Sequence, residues 1–172
     1  MTDYARMEVD FIRRTLEIID QYAELVRGRV DKDQEYEVTL LMNCLLGLLI
    51  YPQQIAHHKG WQPWLSTAKL SYEDSQWGLS REMLRSAGYL NDNQTKIGYE
   101  RLTVRNLIRQ MRNAAAHARF YVGDHSDNQG QITEIEFKDE EREDGFHLVI
   151  PVANLKTFVR RLARSALGQI GK

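Results

Sequence analysis

With 172 residues, 42% hydrophobic and 27% charged, the chain suits a single globular domain over residues 1–172 with a sizeable core, and its composition excludes a disordered chain. Its one cysteine, Cys44, lies in an apolar run, which excludes an internal disulfide framework and suits a reducing cytoplasm. Net charge is −1, which excludes a uniformly basic chain.

Residues 3–27 read as a first helix. Ile12, Leu16, Ile19, Ala23 and Val26 form its stripe, and Phe11, Ile18, Tyr22 and Leu25 widen it. Asp3, Arg6, Glu8 and Asp10 at its start argue against a secretory leader, and Gly28 is a natural stop. Asp31 and Asp33 can cap a second helix over 36–58, which is apolar nearly all round and reads as buried between others. Thr39, Asn43 and Gly47 interrupt it, and it is too short to be a membrane span. Gly47 is expected to admit a neighbouring backbone, and Pro52 to kink or end the helix.

Residues 59–98 are the least regular. Trp61, Trp64 and Trp77 can pack a long loop or stack bases, a short helix is expected around Ser80–Ser86, and Asn91–Gln94 reads as a turn. Thr103 can then cap a third helix. Val104, Leu107, Ile108, Met111, Ala114, Ala115 and Ala118 form one face, and Arg105, Arg109 and Arg112 lie opposite, within about 60° of each other. Beyond Asp124, Ile135 and Phe137 alternate with glutamates, and Phe146, Leu148 and Ile150 alternate with His147 and Val149. This reads as a hairpin closed by the charged loop Lys138–Gly145. Pro151 suits the start of a last helix buried through Leu155, Phe158, Val159, Leu162 and Ala166.

Charge is segregated along this order. Residues 101–123 carry five arginines and no acid, and residues 151–172 carry five cations and no acid, so the remainder holds −11. Such segregation either makes a local anion-attracting field or merely solvates two helix faces.

The stretch Arg112-Asn113-Ala114-Ala115-Ala116-His117 puts a cation and a titratable base near one another. An arginine separated from a histidine by four to six intervening residues occurs twice more, as Arg119 to His125 and Arg142 to His147. Arg142 lies among Glu140, Glu141, Glu143 and Asp144, which would repel a phosphate, and Arg119 to His125 crosses Gly123-Asp124. Only the first pair lies on a helix beside a basic stripe. Residues five apart on an ideal helix are about 140° apart around the axis and about 7.5 Å along it. Arg112 and His117 therefore point to different sides unless the helix distorts, and a two-fold dimer would bring two copies to one groove. The alternative is a histidine that stabilises the helix dipole from its C-terminal end.

The run Leu107–Ala118, after a long amphipathic helix and a nearly all-apolar one and before a hairpin and a last helix, resembles the HEPN superfamily (higher eukaryotes and prokaryotes nucleotide-binding). The likeness is to a plasmid- and defence-associated bacterial branch. It implies a mainly α fold: a helical bundle with a small antiparallel β-hairpin between the third main helix and the last. It also implies a homodimer with the motif at the interface and a metal-independent endoribonuclease, acting as a toxin or defence effector with a possible antitoxin. Arg112 and His117 would be catalytic with Asn113 orienting them, and Arg105, Arg109 and Arg119 would bind the RNA. No metal or other cofactor is expected; the adjacent His57 and His58 do not resemble a zinc site. A non-catalytic RNA- or nucleotide-binding module is the alternative. A further one is the toxin of a nucleotidyltransferase pair, in which the family carries a tyrosine two residues after the histidine; Arg119 stands there, and the nearest tyrosine is Tyr121.

Overall fold

The structure is a computed structural model that describes residues 7–27, 37–59, 69–70, 74–85, 89–90, 96–122, 132–138 and 145–170. Gly28, the 31–33 caps, Trp61, Trp64, Asn91–Gln94, His125 and Arg142 lie outside these residues. Helix α1 is Met7–Arg27, α2 Glu37–Lys59, α3 Val104–Ala116 and α4 Val152–Ile170. The fold is mainly α, as the periodicity predicts. None of the described helices is long and apolar enough to cross a membrane. Two compact units emerge, Met1–Trp64 with Val159–Lys172, and Leu65–Phe158.

In the first unit, α1 buries a narrower stripe than expected. Ile12 and Ile19 are inside, and so is Thr15, whose hydroxyl donates to the Phe11 carbonyl at 2.8 Å and so needs no outside partner. Ile18 and Leu25 are 48% and 59% exposed, because they lie about a third of a turn round from Ile12 and Ile19. Helix α2 buries Leu41, Met42, Cys44, Leu45, Leu48 and Leu49 but leaves Thr39, Asn43 and Ile50 exposed on one stripe, so it is not enclosed all round. At Gly47 the close neighbour is a side chain and not a backbone: a Cβ there would come within 2.7 Å of Phe11 Cζ. Pro52 does not end the helix, which continues to Lys59. It removes one amide donor and the helix tolerates that loss. From α4, Val159, Leu162, Ala163 and Ala166 are buried, and Arg160 pairs with Asp20 of α1.

In the second unit, the expected hairpin is β4 (Glu134–Lys138) and β5 (His147–Pro151), antiparallel with Phe137 opposite Leu148. Ile135, Phe137, Leu148 and Ile150 are buried as the alternation predicts, but Val149 on the other face is buried too. A third strand, β3 (Phe120–Tyr121), joins β4, so the sheet has the order β3–β4–β5. A two-residue ladder, β1 (Tyr89–Leu90) with β2 (Lys96–Ile97), is additional to the expected elements. The short helix near Ser80 is only a 3-10 turn, Arg81–Met83. It stops because Leu84 bridges to Leu148 and the Arg85 amide donates to the His147 carbonyl at 2.9 Å, drawing the chain out along β5.

Trp77 is buried against Phe158, ring centroids 5.6 Å apart, so this tryptophan packs and does not present a face for bases. The next residue, Gly78, has φ +68. A Cβ there would meet Thr157 Cβ at 2.8 Å and the Asn154 carbonyl at 3.0 Å, and the Gly78 carbonyl accepts from Asn154 Nδ2 at 2.8 Å. Only glycine suits both the angle and the space. The turn thus seats Trp77 on the first turns of α4.

Candidate active site

Helix α3 starts where the sequence says. Thr103 is extended, its Oγ1 accepts from the Asn106 amide at 3.1 Å and donates to Asn106 Oδ1 at 2.7 Å. This two-way cap satisfies one of the free amides of the first turn. The preceding residue is tied down as well: the Leu70 amide donates to the Leu102 carbonyl at 2.7 Å.

Val104, Leu107, Ile108, Met111 and Ala114 form the buried face. Ala115 is half-buried, and Ala118 is exposed and lies past the helix end, so neither belongs to that face. Asn106 and Gln110 are buried beside it, with Gln110 Nε2 3.4 Å from the Asn106 carbonyl. The sequence reading missed these two; the only signal for Asn106 was its place three residues after the Thr103 cap. Arg105, Arg109 and Arg112 are half-buried, on the side away from the core. Their stems can lie along the protein while the charged heads meet solvent. Arg112 Nη2 donates to Asn113 Oδ1 at 2.9 Å, so the polar residue after the arginine holds the guanidinium.

The helix does not distort before His117, whose amide still donates to the Asn113 carbonyl at 3.2 Å; the departure comes at His117 and after it. The helix ends at Ala116, and His117 is its C-cap, exposed, with φ −99 and ψ 12. Ala118 follows with φ +53. The Ala118 amide donates to the Ala115 carbonyl at 3.1 Å and the Arg119 amide to the Ala114 carbonyl at 2.8 Å. That is the hydrogen-bond pattern of a Schellman termination, built here without the usual glycine. The chain then enters the sheet: the Lys138 amide donates to the Arg119 carbonyl at 3.1 Å, and Phe120 lies opposite Phe137 with ring centroids 6.3 Å apart. His117 is therefore the last residue tied to the helix that carries Arg112 and the first of a turn stapled to a strand. Its imidazole makes no hydrogen bond or ion pair with any described residue. Arg109, Arg112 and Arg119 each interact with neighbours, and Arg119 is half-buried beyond the turn.

Of the two other arginine–histidine spacings, only His147 can be placed. Its Nε2 lies 2.7 Å from Glu136 Oε1, at ion-pair distance though out of line for a hydrogen bond. This imidazole faces a carboxylate within the sheet, whereas His117 faces solvent. Among the described residues no three histidine, cysteine, aspartate or glutamate side chains converge as a metal site requires.

No curated protein and no solved structure matches the chain. The family model described as HEPN pEK499 p136 matches residues 1–171, nearly the whole length. The mainly α fold with its small antiparallel sheet is consistent with that match, and the chain belongs to the HEPN pEK499 p136 family.

Proposed function

We propose that this HEPN module is a metal-independent endoribonuclease. The observation that carries the reading is His117: an exposed imidazole with no described partner, fixed on a stapled turn five residues after an arginine held by Asn113. In this reading His117 takes the proton of an RNA 2′-hydroxyl. The O2′ then attacks the adjacent phosphorus, the bond from phosphorus to the 5′ oxygen breaks, and that oxygen leaves as a hydroxyl after protonation. The products are a 2′,3′-cyclic phosphate and a 5′-hydroxyl. Arg112 stabilises the charge of the phosphorane through fixed donors, and Asn113 orients it. Arg105, Arg109 and Arg119 attract the backbone. A homodimer with the motif at its interface would place two copies of the pair around one phosphate. Uncontrolled cleavage of cellular RNA would make the protein a toxin or defence effector, held in check by an antitoxin.

The test is incubation of the purified protein with total cellular RNA in chelator, beside His117→Ala. Cleavage by the wild type alone supports the nuclease. Binding of RNA with no cleavage by either leaves a non-catalytic RNA-binding module.

A further inference from the structure

Local sequence does not stop α3 where it stops. Residues 114–122 read Ala-Ala-Ala-His-Ala-Arg-Phe-Tyr-Val, with no glycine before Gly123 and no proline before Pro151. Alanine is the best helix former and arginine is close behind, so by propensity the helix runs on through His117 and Arg119. The structure departs from that course by exchanging two acceptors. In a continuing helix the Ala118 amide would donate to the Ala114 carbonyl and the Arg119 amide to the Ala115 carbonyl. Here Ala118 donates to Ala115 at 3.1 Å and Arg119 to Ala114 at 2.8 Å, and Ala118 takes the left-handed angle that a glycine normally takes. Strain of this kind persists only where surrounding structure enforces it. The enforcing structure is the sheet. The Lys138 amide donates to the Arg119 carbonyl, and the half-buried Phe120 ring packs on the fully buried Phe137. A helix that ran on would give up both contacts, because residues 119 and 120 would wind around its axis instead of lying along β4.

The stop decides what covers His117. On a continuing helix Tyr121 would stand one turn beyond His117 on the same face, and a long helical side chain leans back over the preceding turn. The imidazole would then lie under a phenol ring. With the helix stopped, the chain leaves along β3 and His117 is exposed. We infer that Phe120 is a positioning residue for His117: by packing on Phe137 it ends α3 at that residue, holds Ala118 left-handed and keeps the imidazole open to substrate. Phe120 acts through the backbone of the turn. Its part in cleavage rests on the nuclease reading of His117; its part in ending the helix does not.

The experiment reads the turn and the reaction separately. Diethyl pyrocarbonate acylates exposed imidazoles, and peptide mass spectrometry follows its rate at His117 alone. Phe120→Ala should slow labelling of His117 severalfold and move the Cα chemical shifts of Ala118 and Arg119 to helical values. Single-turnover cleavage should slow by about 10- to 100-fold, the order that misplacing a catalytic group costs, with little change in the RNA concentration at half-saturation. Ala118→Gly supplies a stop signal of its own, so added to Phe120→Ala it should restore labelling, shifts and rate. A mere loss of packing at Phe120 would not be repaired by a glycine two residues away. Thermal unfolding checks that each variant is folded at the assay temperature, and Phe120→Leu, a milder cut, carries the same comparison if Phe120→Ala is not. Wild-type labelling and shifts in the Phe120 variant, or failure of the glycine to restore them, overturns the positioning role, whatever cleavage does. Slowed labelling with an unchanged cleavage rate keeps the helix stop and rejects its part in cleavage. Full cleavage by His117→Ala overturns the nuclease reading and leaves labelling and shifts to judge the turn.

Discussion

The Arg119 amide reaches back past His117 to the Ala114 carbonyl at 2.8 Å, and this bond forces Ala118 into the left-handed region at φ +53. A Cβ in that region crowds the following carbonyl, at a cost of about 1–2 kcal/mol, part of which glycine gives back through its freer unfolded chain. Ala118→Gly should therefore raise stability by about 0.5–1 kcal/mol, read as a higher urea midpoint with unchanged m. Ala118→Val should lower it, because β-branching disfavours the same angles further. Equal midpoints for all three proteins would show that the turn is not strained in solution.

Cleavage should respond differently to the motif and to the stripe. Loss of Arg112 removes a donor to the transition state and should cost about 10²–10³ in rate. Loss of the His117 general base should cost about 10²–10⁴. Arg105→Ala should mainly weaken binding, by a factor that fades as salt rises. Chelator should not inhibit, and DNA should bind but stay whole for want of a 2′-hydroxyl. Single-turnover rates against RNA concentration separate these effects. A requirement for added magnesium, or cleaved DNA, would reject the mechanism.

The two tight glycines should behave unlike each other. Gly78→Ala meets the Asn154 carbonyl and Thr157 Cβ at a positive φ, where nothing gives way cheaply, and should cost about 2–4 kcal/mol. Gly47→Ala meets only the far end of the Phe11 ring, which can turn aside, and should cost about 1 kcal/mol. Thermal melts of the two variants, with the Gly47 variant the more stable, are the expected result.

Burial of Cys44 raises its thiol above the ordinary range. Alkylation at pH 8 should therefore be slow in native protein and fast in denaturant. The folded state holds the proton longer than the unfolded chain does. Its contribution to stability is then intact below the free thiol range, about pH 8.5, and is lost as pH rises through the folded value. Cys44→Ala should have a shallower loss of stability above that pH. Rapid native labelling would contradict the burial.

Much of this was legible because it depends on periodicity. The stripes of α1, α3 and α4, the Thr103 cap and the β4–β5 alternation each repeat over several residues and survive a single odd position. The features that were not legible are single residues set by tertiary context. Ala118 adopts a glycine angle with no glycine to announce it, because the sheet beyond it fixes where the chain must go. Strands of two residues such as β1, β2 and β3 are too short to show alternation. Asn106 and Gln110 are buried because the apolar arc of α3 extends past its hydrophobic residues. The sequence singles out one of three arginine–histidine spacings by its surroundings, but it does not announce the turn that begins at His117.

The Leu84 bridge and the Arg85 amide occupy the outer edge of β5, and β3 at the other side of the sheet is two residues long. Among the described residues, then, the sheet leaves no long row of bare amides and carbonyls, the feature that lets strands of separate molecules zip together and aggregate. At this sheet, the described edges favour contact through side chains over strand pairing, and side chains allow a partner to be matched or rejected one residue at a time.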